Sequence, residues 1–210
     1  MGSPTTALYA LSSDLTGSAA AAVSYLWDIL EARFGVAAMT EQPPHLTYLV
    51  GECPDIPKRD LLLRSVAIAA RSLPAFSLEL DGLSSFDGEA PILFLRVVRH
   101  ETLIDVHDSL FRAAVAAGME VDSTYHPGKW TPHCVLAVRD LSPAQLPAIR
   151  DFLRAQPLIW RCPINRIDLF RRTESVHEFV ESWPLSAVLD MPAAPVKPQH
   201  TRLLPLQQTP

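Results

Sequence analysis

Apolar and polar positions alternate with two different periods along the chain, and the changes of period mark out its elements. Thr5–Leu11 has the length and character of a short strand. Asp14 or Thr16 offers a cap to a helix that runs through the Ala-rich segment to about Phe34, where Gly35 supplies the stop. Pro43-Pro44 forbid helix, so His45–Gly51 is expected as a second strand. From about Lys58 to Ser72, the residues Leu61, Leu62, Ser65, Val66 and Ala69 recur at helical spacing and predict one buried stripe, ended by Pro74. Phe76–Leu80 and Ile92–Val98 read as the arms of a hairpin around a connection that holds Gly82 and Gly88. Thr102–Ala117 is expected as a helix with Leu103, Val106, Leu110, Ala113, Ala114 and Ala117 on one side and Gly118 as its stop. A polar loop follows over Asp122–Thr131, then a strand over His133–Val138, a helix from Ser142-Pro143 to about Ala155, and one or two strands within Leu158–Phe170. Met191–Pro210 holds five prolines and little periodicity, and reads as a flexible tail behind a single domain of residues 1–190.

Composition narrows the class. The formal charge of −5 leaves no overall positive field to gather duplex DNA, so any nucleic acid is expected to be met in a small local pocket. The longest nearly apolar stretch, Ala19–Leu30, is broken by Ser24 and Asp28 and is too short to span a bilayer, so no membrane partner is expected. Cys53, Cys134 and Cys162 are widely spaced without a CxxC pair, which disfavours a disulfide framework or a cysteine-rich zinc site. With no signal-like N-terminal pattern, a reducing cytoplasm is the expected compartment, and the protein is expected as a monomer.

Two segments repeat each other: Pro44-His-Leu-Thr-Tyr-Leu-Val50 and Pro132-His-Cys-Val-Leu-Ala-Val138. Side chains alternate across a strand, so His45, Thr47 and Leu49 share one face, and His133 shares one with Val135 and Ala137. The opposite faces can pack under helices, leaving each histidine to look into whatever lies on the other side. A cleft between two related halves would suit both. The remaining histidines fit the sequence differently: His100 and His107 read as capping or surface residues, His177 and His200 as surface residues, and His126 as a solvated loop position. Tyr125, Lys129 and Trp130 precede the second motif in a loop that could fold over a cleft, bringing a cation to phosphate and a ring to a base. Arg171-Arg172 could add phosphate contacts or form a solvated edge. No Gly-rich phosphate loop, HExxH or GxSxG pattern is present.

The paired Pro-His strands, the order of elements around them and the loop Tyr125-His-Pro-Gly-Lys-Trp-Thr-Pro-His133 resemble the two-histidine (2H) phosphoesterase superfamily, in its 2′-5′ RNA ligase or cyclic phosphodiesterase branch, over about Thr5 to Leu189. The resemblance implies an α+β fold of two pseudo-symmetric lobes, with two antiparallel sheets lining a central cleft, helices outside, and one histidine from each half. It implies metal-independent hydrolysis of cyclic phosphodiesters, with a small cyclic nucleotide or an RNA terminus as partner, no cofactor, and RNA 2′-5′ ligation as the reverse reaction. The chemistry suits the residues: His45 and His133 as general acid and base near neutral pH, and the Thr47 hydroxyl as a donor to a non-bridging phosphate oxygen. The departure is Val135, where the family usually has Ser or Thr. That substitution raises a second reading, a nucleotide- or RNA-end-binding module with a degenerate second motif. A metal-dependent hydrolase using His45 and His133 as ligands lacks a nearby carboxylate pattern. Deleting Met191–Pro210 is expected to leave the melting temperature within about 2 °C of the full chain, since proline-rich termini bury little; differential scanning calorimetry checks this, and a large drop would place the tail on the core.

Overall fold

The computed structural model describes residues 7–37, 43–53, 55–138, 140–172 and 177–186. Along the chain these form β1 (Leu8–Asp14), α1 (Gly17–Phe34), β2 (His45–Glu52), α2 (Ile56–Ser72), β3 (Phe76–Phe86), β4 (Ile92–Val97), α3 (Glu101–Ala116), β5 (Glu120–Val121), β6 (His133–Ala137), α4 (Leu146–Arg154), β7 (Ile159–Ile164), β8 (Arg166–Arg172) and β9 (His177–Pro184). The strands make two antiparallel sheets, ordered β5-β2-β1-β8-β9 and β6-β4-β3-β7. Helices α2 and α3 pack on the first sheet, at β9 and at β2 and β5, while α1 and α4 pack on the second, at β6 and β7 and at β3. This is the α+β, two-sheet architecture that the resemblance implies. Proline-rich residues 191–210 lie outside the described residues.

Local chemistry explains most boundaries. Gly35 ends α1 in the left-handed region (φ 69°); its N–H closes onto the Glu31 carbonyl, and the Val36 N–H onto that of Leu30. Asp55 caps α2 by accepting from the Lys58 N–H at 2.8 Å, with Pro57 in the first turn, so the helix starts two residues before Lys58. His100 caps α3 through its ring, Nδ1 accepting from the Leu103 N–H. Thr16 holds the N-cap position of α1 but makes no side-chain capping bond, and Asp14 turns to Arg166 instead.

Several expectations are corrected. The buried stripe of α2 is Leu62, Val66 and Ala70, while Leu61 is 44% exposed, because the helix face that meets the sheet is turned by about one residue. Gly82 belongs to β3 rather than to the hairpin connection: it sits at a register irregularity between Leu80 and Leu83, where its φ of 78° suits glycine. Helix α4 begins at Leu146, since Ser142 to Gln145 are used in a turn closed by the Gln145 side chain. Strand β9 was not anticipated; it pairs with β8 along its whole length.

The two repeated segments carry the same defect. In β2, Leu49 pairs with Leu11 and Thr47 with Ser12, which leaves Tyr48 as an extra residue. In β6, Ala137 pairs with Leu93 and Val135 with Phe94, which leaves Leu136 as an extra residue. A bulge three positions after each histidine reverses the alternation. Leu49 and Ala137, expected beside the histidines, are therefore fully buried on the opposite face.

Among the described residues no helix is long and apolar enough to cross a membrane. Close packing makes one glycine exacting. A Cβ on Gly51 would collide with the Glu120 carbonyl and approach the Val121 Cα to 2.8 Å, where the short β5 lies on β2. Gly51→Ala should cost about 1–3 kcal/mol by forcing β5 off the sheet edge, read as a lower urea midpoint; an unchanged midpoint would mean that β5 contributes nothing to stability.

Candidate active site

Strand β2 enters through Pro43 and Pro44 and presents His45 and Thr47 on one face. Its neighbour β1 places Asp14 opposite His45 and Ser12 opposite Thr47, and β8 places Asp168 opposite Ser12 and Phe170 opposite Ala10. The result is a groove lined by Ala10, Ser12, Asp14, Pro43, His45, Thr47 and Phe170. The His45 Nδ1 lies 2.8 Å from the Pro43 carbonyl, and since a carbonyl can only accept, that nitrogen carries the proton. Nε2 is left for chemistry.

Strand β6 repeats this arrangement. The His133 Nδ1 donates to the Thr131 carbonyl at 2.6 Å, again two residues earlier in the chain. Both imidazoles are thus held in one tautomer by their own lead-in segments. Strands β2 and β6 lie against each other, with the Cys134 thiol against the His45 backbone. Burial pushes the His133 pKa below 6.5; the Thr131 bond opposes this, and the charge on His45 adds to it.

The surroundings of the two rings differ. His133 stands among apolar groups: the Phe94 ring lies 4.8 Å away and the Phe86 ring 5.5 Å away, centroid to centroid, and Val135 shares its strand face. His45 stands beside charge. The Arg166 guanidinium spans two carboxylates, Nη2 at 3.1 Å from Asp14 and Nε at 3.1 Å from Asp168. The buried Asp168 also accepts from the Ser182 hydroxyl at 2.6 Å. Burial raises the Asp14 pKa and the Asp168 charge raises it further, while Arg166 and His45 pull it down. Sequence reasoning assigns no site role to Ser12, Asp168 or Phe170, and reads Asp14 only as a helix cap. The alternation of Ser12 and Asp14 on β1 was a readable signal, whereas the register of β8 was not.

The loop residues expected over the cleft are placed as follows. Trp130 is turned inward: it is 2% exposed, and its indole stacks flat on His107 with centroids 4.1 Å apart. Its ring is therefore not presented to a base. Tyr125 packs partly buried against the core, its phenol pKa raised by burial, and its carbonyl accepts from His107 Nε2. Lys129 is exposed on the loop. His107 is no surface residue but 2% exposed within α3, and burial holds its pKa down against the bonds to Asp108 and Tyr125. His126 is exposed and bonded to the Val121 carbonyl. Arg171 and Arg172 end β8 exposed, Arg171 within 3.8 Å of Glu178. His200 lies outside the described residues. The three cysteines are free and buried, and among the described residues no three His, Cys, Asp or Glu side chains converge into a set that could hold a metal ion.

The site thus brings together two imidazoles, each held through Nδ1, on adjoining strands, with the Ser12 and Thr47 hydroxyls lining the groove beside His45. No curated protein matches by sequence. Among solved structures, E. coli LigT is similar: the apo form has a TM-score of 0.61 at 17% identity, and the complex with 3′-AMP one of 0.60 at 18%, each over 87% of this chain and 99% of the other. The protein TT0787 of Thermus thermophilus is similar with a TM-score of 0.59 at 19% identity, over 86% of this chain and 97% of its own. At these identities the likeness is one of fold. The family profile described as the 2′-5′ RNA ligase superfamily matches residues 17–175, three quarters of the chain, and this protein belongs to that superfamily.

Proposed function

We propose that the protein is a metal-independent phosphodiesterase that opens 2′,3′-cyclic phosphates on small nucleotides or RNA ends. Membership of the superfamily supports a phosphoesterase activity. The observation that carries the finer reading is the pair of histidines, each pinned through Nδ1 to the carbonyl two residues before it, on strands that adjoin. Such pinning prepares both Nε2 atoms for the two proton transfers the reaction needs. E. coli LigT has been captured with 3′-AMP and with ATP, which agrees with a nucleotide as the ligand class.

In this reading water attacks phosphorus while His133, kept neutral by burial, takes its proton at Nε2. The P–O bond to one ribose oxygen breaks, and that oxygen takes a proton from Nε2 of protonated His45. Thr47 donates its hydroxyl to a non-bridging oxygen, stabilising the charge that grows there. Lys129, exposed on its loop, offers a cation to further phosphates of an RNA end. The binding-module reading draws on one observation: Val135 offers a methyl where a second hydroxyl would meet the phosphate.

His45→Ala and His133→Ala should each lower kcat on 2′,3′-cyclic mononucleotides by about 10²–10⁴-fold, in buffer containing EDTA, with circular dichroism unchanged. Because the folded pKa of His133 is depressed, the base is lost only as pH falls below 6.5, so the acid limb of kcat/KM should lie under that value. Wild-type protein without turnover in EDTA, or a single variant with near-normal rates, would sink the mechanism.

Val135→Thr should fold normally and raise kcat/KM about two- to tenfold, the kinetic equivalent of one added hydrogen bond worth roughly 0.5–1.5 kcal/mol. A lower melting temperature with no kinetic gain would show that the new hydroxyl faces the core.

A further inference from the structure

Each motif strand is open on one side beside its histidine. Strand β2 pairs with β1 along its length, but with β5 only at Gly51 and Glu52. Strand β6 pairs with β4 alone among the described strands. Backbone carbonyls on such a side have no ladder partner and need another donor. At the same point in both strands, two residues after the histidine, an indole supplies it. Trp130 Nε1 donates to the Thr47 carbonyl at 3.1 Å, and Trp27 Nε1 donates to the Val135 carbonyl at 3.2 Å.

The donors are not equivalent in the fold. Trp27 lies on α1, whereas Trp130 lies in the loop before β6. The same bond is therefore reached by two unrelated routes, which singles out the bond rather than a shared ancestral packing. Both rings are buried, at 4% and 2% exposure, and neither swings freely. Trp130 is fixed on every side: its carbonyl accepts from Arg99 at 3.0 Å, its N–H donates to the His126 carbonyl at 3.1 Å, and its ring lies flat on His107. It also stands one residue before Thr131, whose carbonyl holds the His133 ring. Trp130 thus ties β2 to the segment that orients the histidine of β6.

We propose that Trp27 and Trp130 are positioning residues: by binding the Val135 and Thr47 carbonyls they set the separation and aim of His133 and His45. The kinetic part of this inference rests on the phosphodiesterase reading, and its spectroscopic part does not. Small displacements of reacting groups are costly, on the order of 10²-fold for 1 Å. The indole N–H bonds fix that distance without touching substrate.

The test compares Trp27→Phe and Trp130→Phe, which keep a buried ring and lose the N–H, with Leu153→Ala, a cavity in α4 against β3. Imidazole Cε1–H resonances of His45 and His133 are recorded without ligand, and kcat and KM are measured on 2′,3′-cyclic AMP. Trp27→Phe should move the His133 resonance, Trp130→Phe should move that of His45, and each should lower kcat about tenfold or more with KM within twofold. Leu153→Ala should lower the melting temperature yet leave both resonances in place and kcat within twofold. Unmoved resonances in both Phe variants, or an equal loss of kcat in Leu153→Ala, would overturn the inference. If the wild-type protein turns over no cyclic nucleotide, the phosphodiesterase reading fails and the resonances alone decide. Should a Phe variant not fold, benzothienylalanine at the same position keeps the ring shape, removes the N–H and gives the same readout.

Discussion

The extra residue that β2 and β6 each carry three positions after the histidine governs much of the site. A regular strand would turn His45, Thr47 and Leu49 to one face, and would oblige the cleft to accept a leucine or the core to give one up. The bulge separates these demands. It lets two successive outward positions hold chemistry and then returns the chain to the core at once, with Leu49 and Ala137 fully buried. It also sharpens the local twist, which helps bring the outer sides of the two strands toward each other. Recurrence of the defect at the same offset in both halves is the clearest sign that they are structural counterparts.

Counterparts need not be equal. One histidine stands beside an arginine shared between two carboxylates, the other between two phenylalanine rings and a valine. An apolar setting favours the neutral imidazole, and burial holds the His133 pKa down. Two similarly held imidazoles therefore sit in unlike surroundings. Val135 belongs to the same asymmetry: two residues after its histidine, β2 carries the Thr47 hydroxyl and β6 carries a valine.

Much of this was legible in the sequence for reasons that are local. Gly35, Pro43-Pro44 and Gly118 punctuate the chain by backbone geometry alone, and His45, Thr47 and His133 could be assigned to strand faces from spacing two. The bulges could not, because inserting one residue into a pairing leaves no mark in composition. Trp130 read as a ring that a loop could bring to a base, since the groups that enclose it, His107 and the Thr47 carbonyl, come from distant parts of the chain. Asp14 looked like a helix cap until Arg166, far along the chain, claimed its carboxylate. Strand β9 mixes Glu178, Glu181 and Ser182 with Phe179 and Val180, too weak an alternation to announce an edge strand before its partner β8 is placed.

The position of β6 at the margin of its sheet has a consequence for how the molecule behaves in a crowded solution. A strand margin with unmet carbonyls is a template on which another chain can add. The indole of Trp27 closes the Val135 carbonyl to a newcomer while leaving the histidine beside it open. On this margin a backbone acceptor is thus met by a side chain rather than by another strand.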